Sequence, residues 1–204
     1  ALIASTYVPL AALGGSYRFM LSGINVALPI AGGLFSLGLV SLLISALWLL
    51  KILFLSMPIT IGIPSACAML SWASAQQSNK RQMLNFVVNA LLPAACMAIF
   101  IVHPTVGAAW PYALYWLIPI GIYATKHSDY SFLQALQSTF VAHAVGSIMW
   151  LFLVPMTAGQ WLALIPMVAI ERLGIAFSAT CLHKVISAGS AWLTSSTNKL
   201  SLKS

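Results

Sequence analysis

The chain has 204 residues, 61% of them hydrophobic and only 5% charged, against about 25% charged in an average soluble domain. Nine Lys and Arg against two acidic residues give a formal charge of +7, but the cations are scattered and form no stripe of the kind nucleic acid requires. Composition therefore excludes a water-soluble fold and a nucleic-acid partner, and it implies an all-α, polytopic transmembrane helix bundle with the lipid bilayer as its solvent.

The amino-terminal stretch has apolar pieces at 1–13 and 24–30, separated by Gly14, Gly15, Tyr17 and Arg18. It reads either as one broken helix or as a short helix followed by a re-entrant segment. No basic stretch precedes the apolar start, so a conventional signal peptide is not expected. A helix needs about 20 apolar residues to cross the hydrocarbon core. Five runs reach or approach that length, at 32–50, 52–73, 83–102, 132–153 and 161–182, and a shorter sixth lies at 109–123. The expectation is six or seven helices in a single domain, 1–186, followed by a frayed polar tail at 187–204 that is rich in Ser, Thr, Asn and Lys.

Basic residues set the expected orientation. Lys80 and Arg81, then Lys126, then Lys184, Lys199 and Lys203 fall on one side of this layout. The positive-inside rule places those loops and the carboxyl terminus in the cytoplasm, in a cell or inner membrane, with 103–107 and 155–160 outside. Lys51 falls on the opposite side and is read as a snorkelling helix-end lysine.

Within the spans, polar residues are few enough to weigh singly. Glu171 and Arg172 stand together in the run at 161–182, and Asp129 is the only other acidic residue. A charge at bilayer depth costs about 2.5–3.5 kcal/mol on insertion scales, so such residues face a bundle interior or a wet cavity and find partners. This pair is therefore either a binding site or a structural ion pair. His143 and Glu171 lie at equal distances from a turn centred near Thr157. Antiparallel helices of equal rise bring them to similar depth, about 20 Å below it. The two could meet as a proton relay, a polar ligand site or a helix lock, while His143 alone reads equally as a satisfied buried histidine. Ala142 and Gly146, four apart, favour close helix approach there.

Asn85 and Asn89 share a helix face, as an interhelical clamp or as the lining of a cavity. Trp110, Tyr112, Tyr115 and Trp116, with Trp150 and Trp161, read as an interfacial belt or, because Tyr112 and Trp116 share a face, as a stacking wall for a flat ligand. Pro58, Pro64, Pro93, Pro119 and Pro166 kink the spans and free carbonyls. Cys67, Cys96 and Cys181 are scattered, offering neither a disulfide framework nor a zinc spacing. HExxH, GxSxG and GxxxxGK[ST] motifs are missing, as is a pair of intramembrane aspartates. With two carboxylates in all, metal-dependent hydrolysis lacks ligands. No enzyme activity, cofactor or metal is expected.

In size and layout, with PIAGGLFSLG at 29–38 and IPMVAIERLG at 165–174, the chain resembles the substrate-binding S components of energy-coupling-factor vitamin transporters. The resemblance implies capture of a vitamin-like molecule and partnership with a transmembrane coupling subunit and two ATPases. S components typically present an alanine-xxx-alanine surface on their first helix. Here Ala1 with Ser5, Ala11 with Gly15, and the stripe Cys67, Ser71, Ala75 depart from it. The leading expectation is an uptake protein holding a small, heterocyclic molecule between its last four helices. Glu171, Arg172, His143 and Asn89 would supply polar contacts and Tyr112, Tyr115 and Trp116 an aromatic wall. The alternatives are a non-catalytic subunit of a larger membrane complex and a carrier using Glu171 and His143 as a proton relay.

Overall fold

The structure is a computed structural model that describes Ile30, Leu34, Leu39, Leu42 and Ala46, then residues 63–76, 82–125 and 130–201, with side chains through Trp192. The apolar pieces at 1–13 and 24–29, most of the run at 32–50, and the basic residues Lys51, Lys80, Arg81, Lys126 and Lys203 lie outside the described residues, as do Pro58 and Asp129. Among the described residues there are helices and the turns joining them, and no strand. Among the described residues three helices are long and apolar enough to cross a membrane: Gln82–Val102, Ser131–Leu153 and Ile165–Trp192.

The first helix described along its length is α1 (Ile63–Gln76). Helix α2 (Gln82–Val102) follows, and it contains a π-helical turn at Val87–Leu91 immediately ahead of Pro93. Pro93 has no N–H to return to the carbonyl of Asn89, and its ring crowds that carbonyl. A wider turn at this point removes the clash. After α2 the chain reverses through 103–106, and Gly107 donates from its backbone N–H to the His103 carbonyl at 2.9 Å. A Cβ at Gly107 would lie 2.7 Å from the Ile101 carbonyl oxygen, so only glycine allows so close an approach.

The run expected at 109–123 is helical without a break from 107 to 125, but of mixed type. A 3₁₀ turn, Gly107–Ala109, leads into α3 (Trp110–Ala113), a second 3₁₀ turn covers Leu114–Trp116, and α4 (Leu117–Thr125) completes it. Pro111 and Pro119 each remove a backbone donor, which breaks the regular ladder into short pieces.

Helix α5 (Ser131–Leu153) is the central element: α1, α7, α2 and α4 all pack on it. The short α6 (Ala158–Ala163) is opened by a capping box, in which Thr157 Oγ1 accepts from the Gln160 backbone and Gln160 returns a side-chain bond to the Thr157 N–H. After a turn at Leu164, α7 (Ile165–Ser201) runs for 37 residues, about 55 Å. The tail expected to fray from 187 is thus helical through Ser201, and Lys184 and Lys199 lie within the helix instead of after it. Once nucleated, a helix gains one hydrogen bond for each further residue fixed. No proline follows Pro166 to stop it.

Burial is inverted relative to a water-soluble protein. Large apolar side chains such as Leu91, Val102, Leu117, Phe152, Ile170 and Phe177 stand exposed, while Ser71, Asn89, Gln137, Ser138 and His143 are buried. One apolar core gathers Phe100, Tyr112, Trp116, Phe140 and Trp161; a second joins Trp72, Ala135, Ala176 and Ala179 with Ile30. At Gly146, where close approach is expected, an added Cβ would meet the Pro64 ring of α1 at 3.6 Å, an ordinary van der Waals contact that does not require glycine.

Candidate functional site

Two buried polar regions, one centred on α2 and one on α5, differ in how completely their hydrogen bonds are made. The first centres on Asn89 in the π-helical turn of α2. Its Oδ1 accepts from Ser71 Oγ, and its Nδ2 donates to Asn85 Oδ1 at 2.7 Å, to Ser74 Oγ at 3.2 Å and to the Ser71 carbonyl at 3.4 Å. Asn89 and Ser71 are both fully buried. Every donor and acceptor of the Asn89 amide is thus engaged, and the group ties α1 to α2. Nearby, Trp72 Nε1 donates to Gln134 Oε1 at 3.0 Å, linking α1 to α5, and Gln137 Nε2 donates to the Pro119 carbonyl at 3.0 Å, linking α5 to α4.

The second region centres on His143 of α5. Three rings surround its imidazole, with centroids at 5.5 Å (Tyr112), 6.2 Å (Phe140) and 6.5 Å (Tyr115). Tyr112 also meets Trp161 at 4.9 Å and Trp116 at 6.2 Å, and Phe100 packs against Tyr112 and both tryptophans. Tyr112 shares a hydrogen bond of 3.2 Å with Ser147, and Tyr115 donates to the Ile165 carbonyl at 2.7 Å. In contrast, Trp116 Nε1, Trp161 Nε1, His143 Nε2 and Arg172 Nε are buried nitrogens with no hydrogen-bond partner among the described residues. Leaving such a group unpaired costs about 1–3 kcal/mol. The three ring nitrogens belong to side chains that all touch Tyr112.

Arg172 reaches this region from α7. One terminal nitrogen pairs with Glu171 at 2.7 Å and the other donates to the Thr139 carbonyl of α5 at 3.5 Å. Thr139 lies one turn before His143, so the guanidinium sits along the same face of α5. The expected meeting of His143 with Glu171 does not occur: Glu171 pairs with its own neighbour, and His143 Nε2 bonds to nothing. Equal rise from Thr157 is broken by the separate α6 and the turn at Leu164. Arg172, 100° round the helix, is the residue that faces α5.

The seven expected site residues therefore divide. His143, Tyr112, Tyr115, Trp116 and Arg172 come together, Glu171 joins them through Arg172, and Asn89 belongs to the other region. The aromatic wall is packed core, with Tyr112 and Trp116 fully buried. Trp161, expected at the interface, is 2% exposed, whereas Trp110 and Trp150 are exposed as interfacial rings would be. Sequence reasoning named Ser71 only as part of a small-residue stripe and passed over Ser74, Gln134, Gln137, Thr139 and Ser147. The signal was available in the two glutamines, since a long amide inside an apolar run has to find a partner. Among the described residues no group of three or more His, Cys, Asp or Glu gathers to hold a metal. Compared with known proteins, the chain matches no family model, no curated protein and no solved structure.

Proposed function

We propose that this protein is a non-catalytic, polytopic membrane protein of six or seven helices that binds a small molecule within its bundle, between α3, α5, α6 and α7, and takes part in its uptake. The observation that carries the reading is the cluster of unpartnered buried nitrogens around Tyr112 and His143. Structural polar groups in a bundle are normally paired, as those around Asn89 are. A cluster of unspent donors among rigid aromatic rings is what a binding site presents before its ligand supplies the acceptors. Uptake would draw its energy from a partner, a coupling subunit with ATPases if the likeness to S components extends that far, in a cell or inner membrane with a cytoplasmic carboxyl terminus.

A retained small molecule is the expected result when the protein is purified in mild detergent and its mass is measured under native conditions. Free protein with no added mass, unaltered in its melting temperature by a metabolite extract, would refute the binding reading, because a ligand selective for the folded state must raise its stability by mass action. The second reading, a helical subunit of a larger assembly, is favoured by the satisfied Asn89 clamp and by the self-paired Glu171 and Arg172. It predicts stable co-purification with other membrane subunits and no retained metabolite.

A further inference from the structure

We infer that the ligand is a neutral molecule carrying a carbonyl acceptor, an amide, lactam or ureide, held at Arg172 Nε and His143 Nε2; the inference rests on the binding reading above. Its basis is the way Arg172 spends its donors. One terminal nitrogen is taken by Glu171 and the other leans on the Thr139 carbonyl, while Nε remains unpartnered beside the face of α5 that carries His143. His143 is 9% exposed and its Nε2 is likewise unpartnered. Protonated at Nε2, a neutral imidazole is a donor, so each group has an N–H to offer an acceptor, one from α7 and one from α5.

Charge then selects among acceptors. Glu171 already neutralises Arg172, and the side chains of the pair are only 17% and 14% exposed. A carboxylate or phosphate added there would leave a net negative charge in a poorly solvated place, and a cation would leave a net positive one beside a guanidinium. A carbonyl takes up the unspent N–H groups and leaves the charge balanced. The rings do not argue for a cation either. Tyr115 and Phe140 stack on each other at 5.7 Å and 21°, and the faces a cation would need are committed to neighbouring rings.

The test uses the full chain in mild detergent and three probes of one shape and different charge: benzamide, benzoate and benzamidinium, each followed by thermal unfolding and native mass. Benzamide is expected to bind and raise the melting temperature, and the two ions are not. Glu171→Gln, which leaves Arg172 uncompensated, should move the preference toward benzoate by about tenfold in relative affinity. His143→Phe, a substitution compatible with an aromatic surrounding, should abolish the benzamide response while the protein still folds. This variant carries the test if Glu171→Gln does not fold. Tighter binding of either ion by the unaltered protein, or a benzamide response that survives His143→Phe, would overturn the carbonyl class while leaving the binding reading in place. Should none of the probes bind, a retained molecule decides by its own charge: a neutral carbonyl compound supports the inference and an ion overturns it. No probe bound and no retained molecule would sink both readings.

Discussion

Between α1 and α2, the amide of Asn89 has all its bonds made by Ser71, Ser74 and Asn85; around α5, His143 and three neighbouring side chains keep buried nitrogens unspent. Both regions are polar, both are buried and both join helices, so residue type alone does not separate a structural role from a binding one. Hydrogen-bond completeness does. A satisfied network stabilises the helix pair it bridges, whereas an unsatisfied one lowers stability and persists where something else benefits from it.

The contrast can be broken by substitution. The largest effect is expected from Asn89→Ala, which removes the partner of the Ser71 hydroxyl and of the Asn85 amide oxygen. Interhelical bonds average about 0.6 kcal/mol in a bilayer, so losing the three to α1 should destabilise the protein by about 2 kcal/mol in a detergent unfolding titration. A change below about 0.5 kcal/mol would show that the clamp is not one. Gly107→Ala comes next, because its Cβ must displace the Ile101 carbonyl. A loss of about 1–2 kcal/mol is expected from such overpacking, read in the same unfolding titration.

A smaller loss, about 1 kcal/mol, is expected for Gln137→Leu, which removes the donor to the Pro119 carbonyl. Smaller again is His143→Ala. Its ring makes no bond through Nε2, so its removal should change stability by less than Asn89→Ala does while ligand binding is lost. The opposite ranking would reverse the assignment of the two regions. Last, His143→Ala combined with Glu171→Gln should be additive in stability within about 0.5 kcal/mol, since the side chains form no ion pair. A larger coupling would put the two in contact after all.

Much of the architecture is legible in the chain before any contact is known. The runs at 83–102 and 132–153 become α2 and α5 almost to the residue, because a long apolar stretch in lipid has to satisfy its own backbone and the helix does so locally. The run at 109–123 is helical as expected but misleads on regularity, since hydropathy registers apolarity but not the donors lost at Pro111 and Pro119. The tail at 187–201 misleads in the other direction, because a polar composition does not end a helix that is already formed. Within the candidate site, the charged pair, the histidine and the aromatic residues are all visible as exceptions to an apolar background. Asn89 is equally visible and belongs elsewhere.

The sequence by itself determined the helical class, the apolar character of the spans and the short set of polar residues that have to be accounted for, because each depends on local composition and on the backbone's need for hydrogen bonds. Only the tertiary structure decided that Arg172 and not Glu171 turns toward α5, that Asn89 is satisfied, and that His143 is not. Those outcomes depend on the rotation and axial offset of one helix against another, which side-chain packing and the break at Leu164 set across segments far apart in the chain.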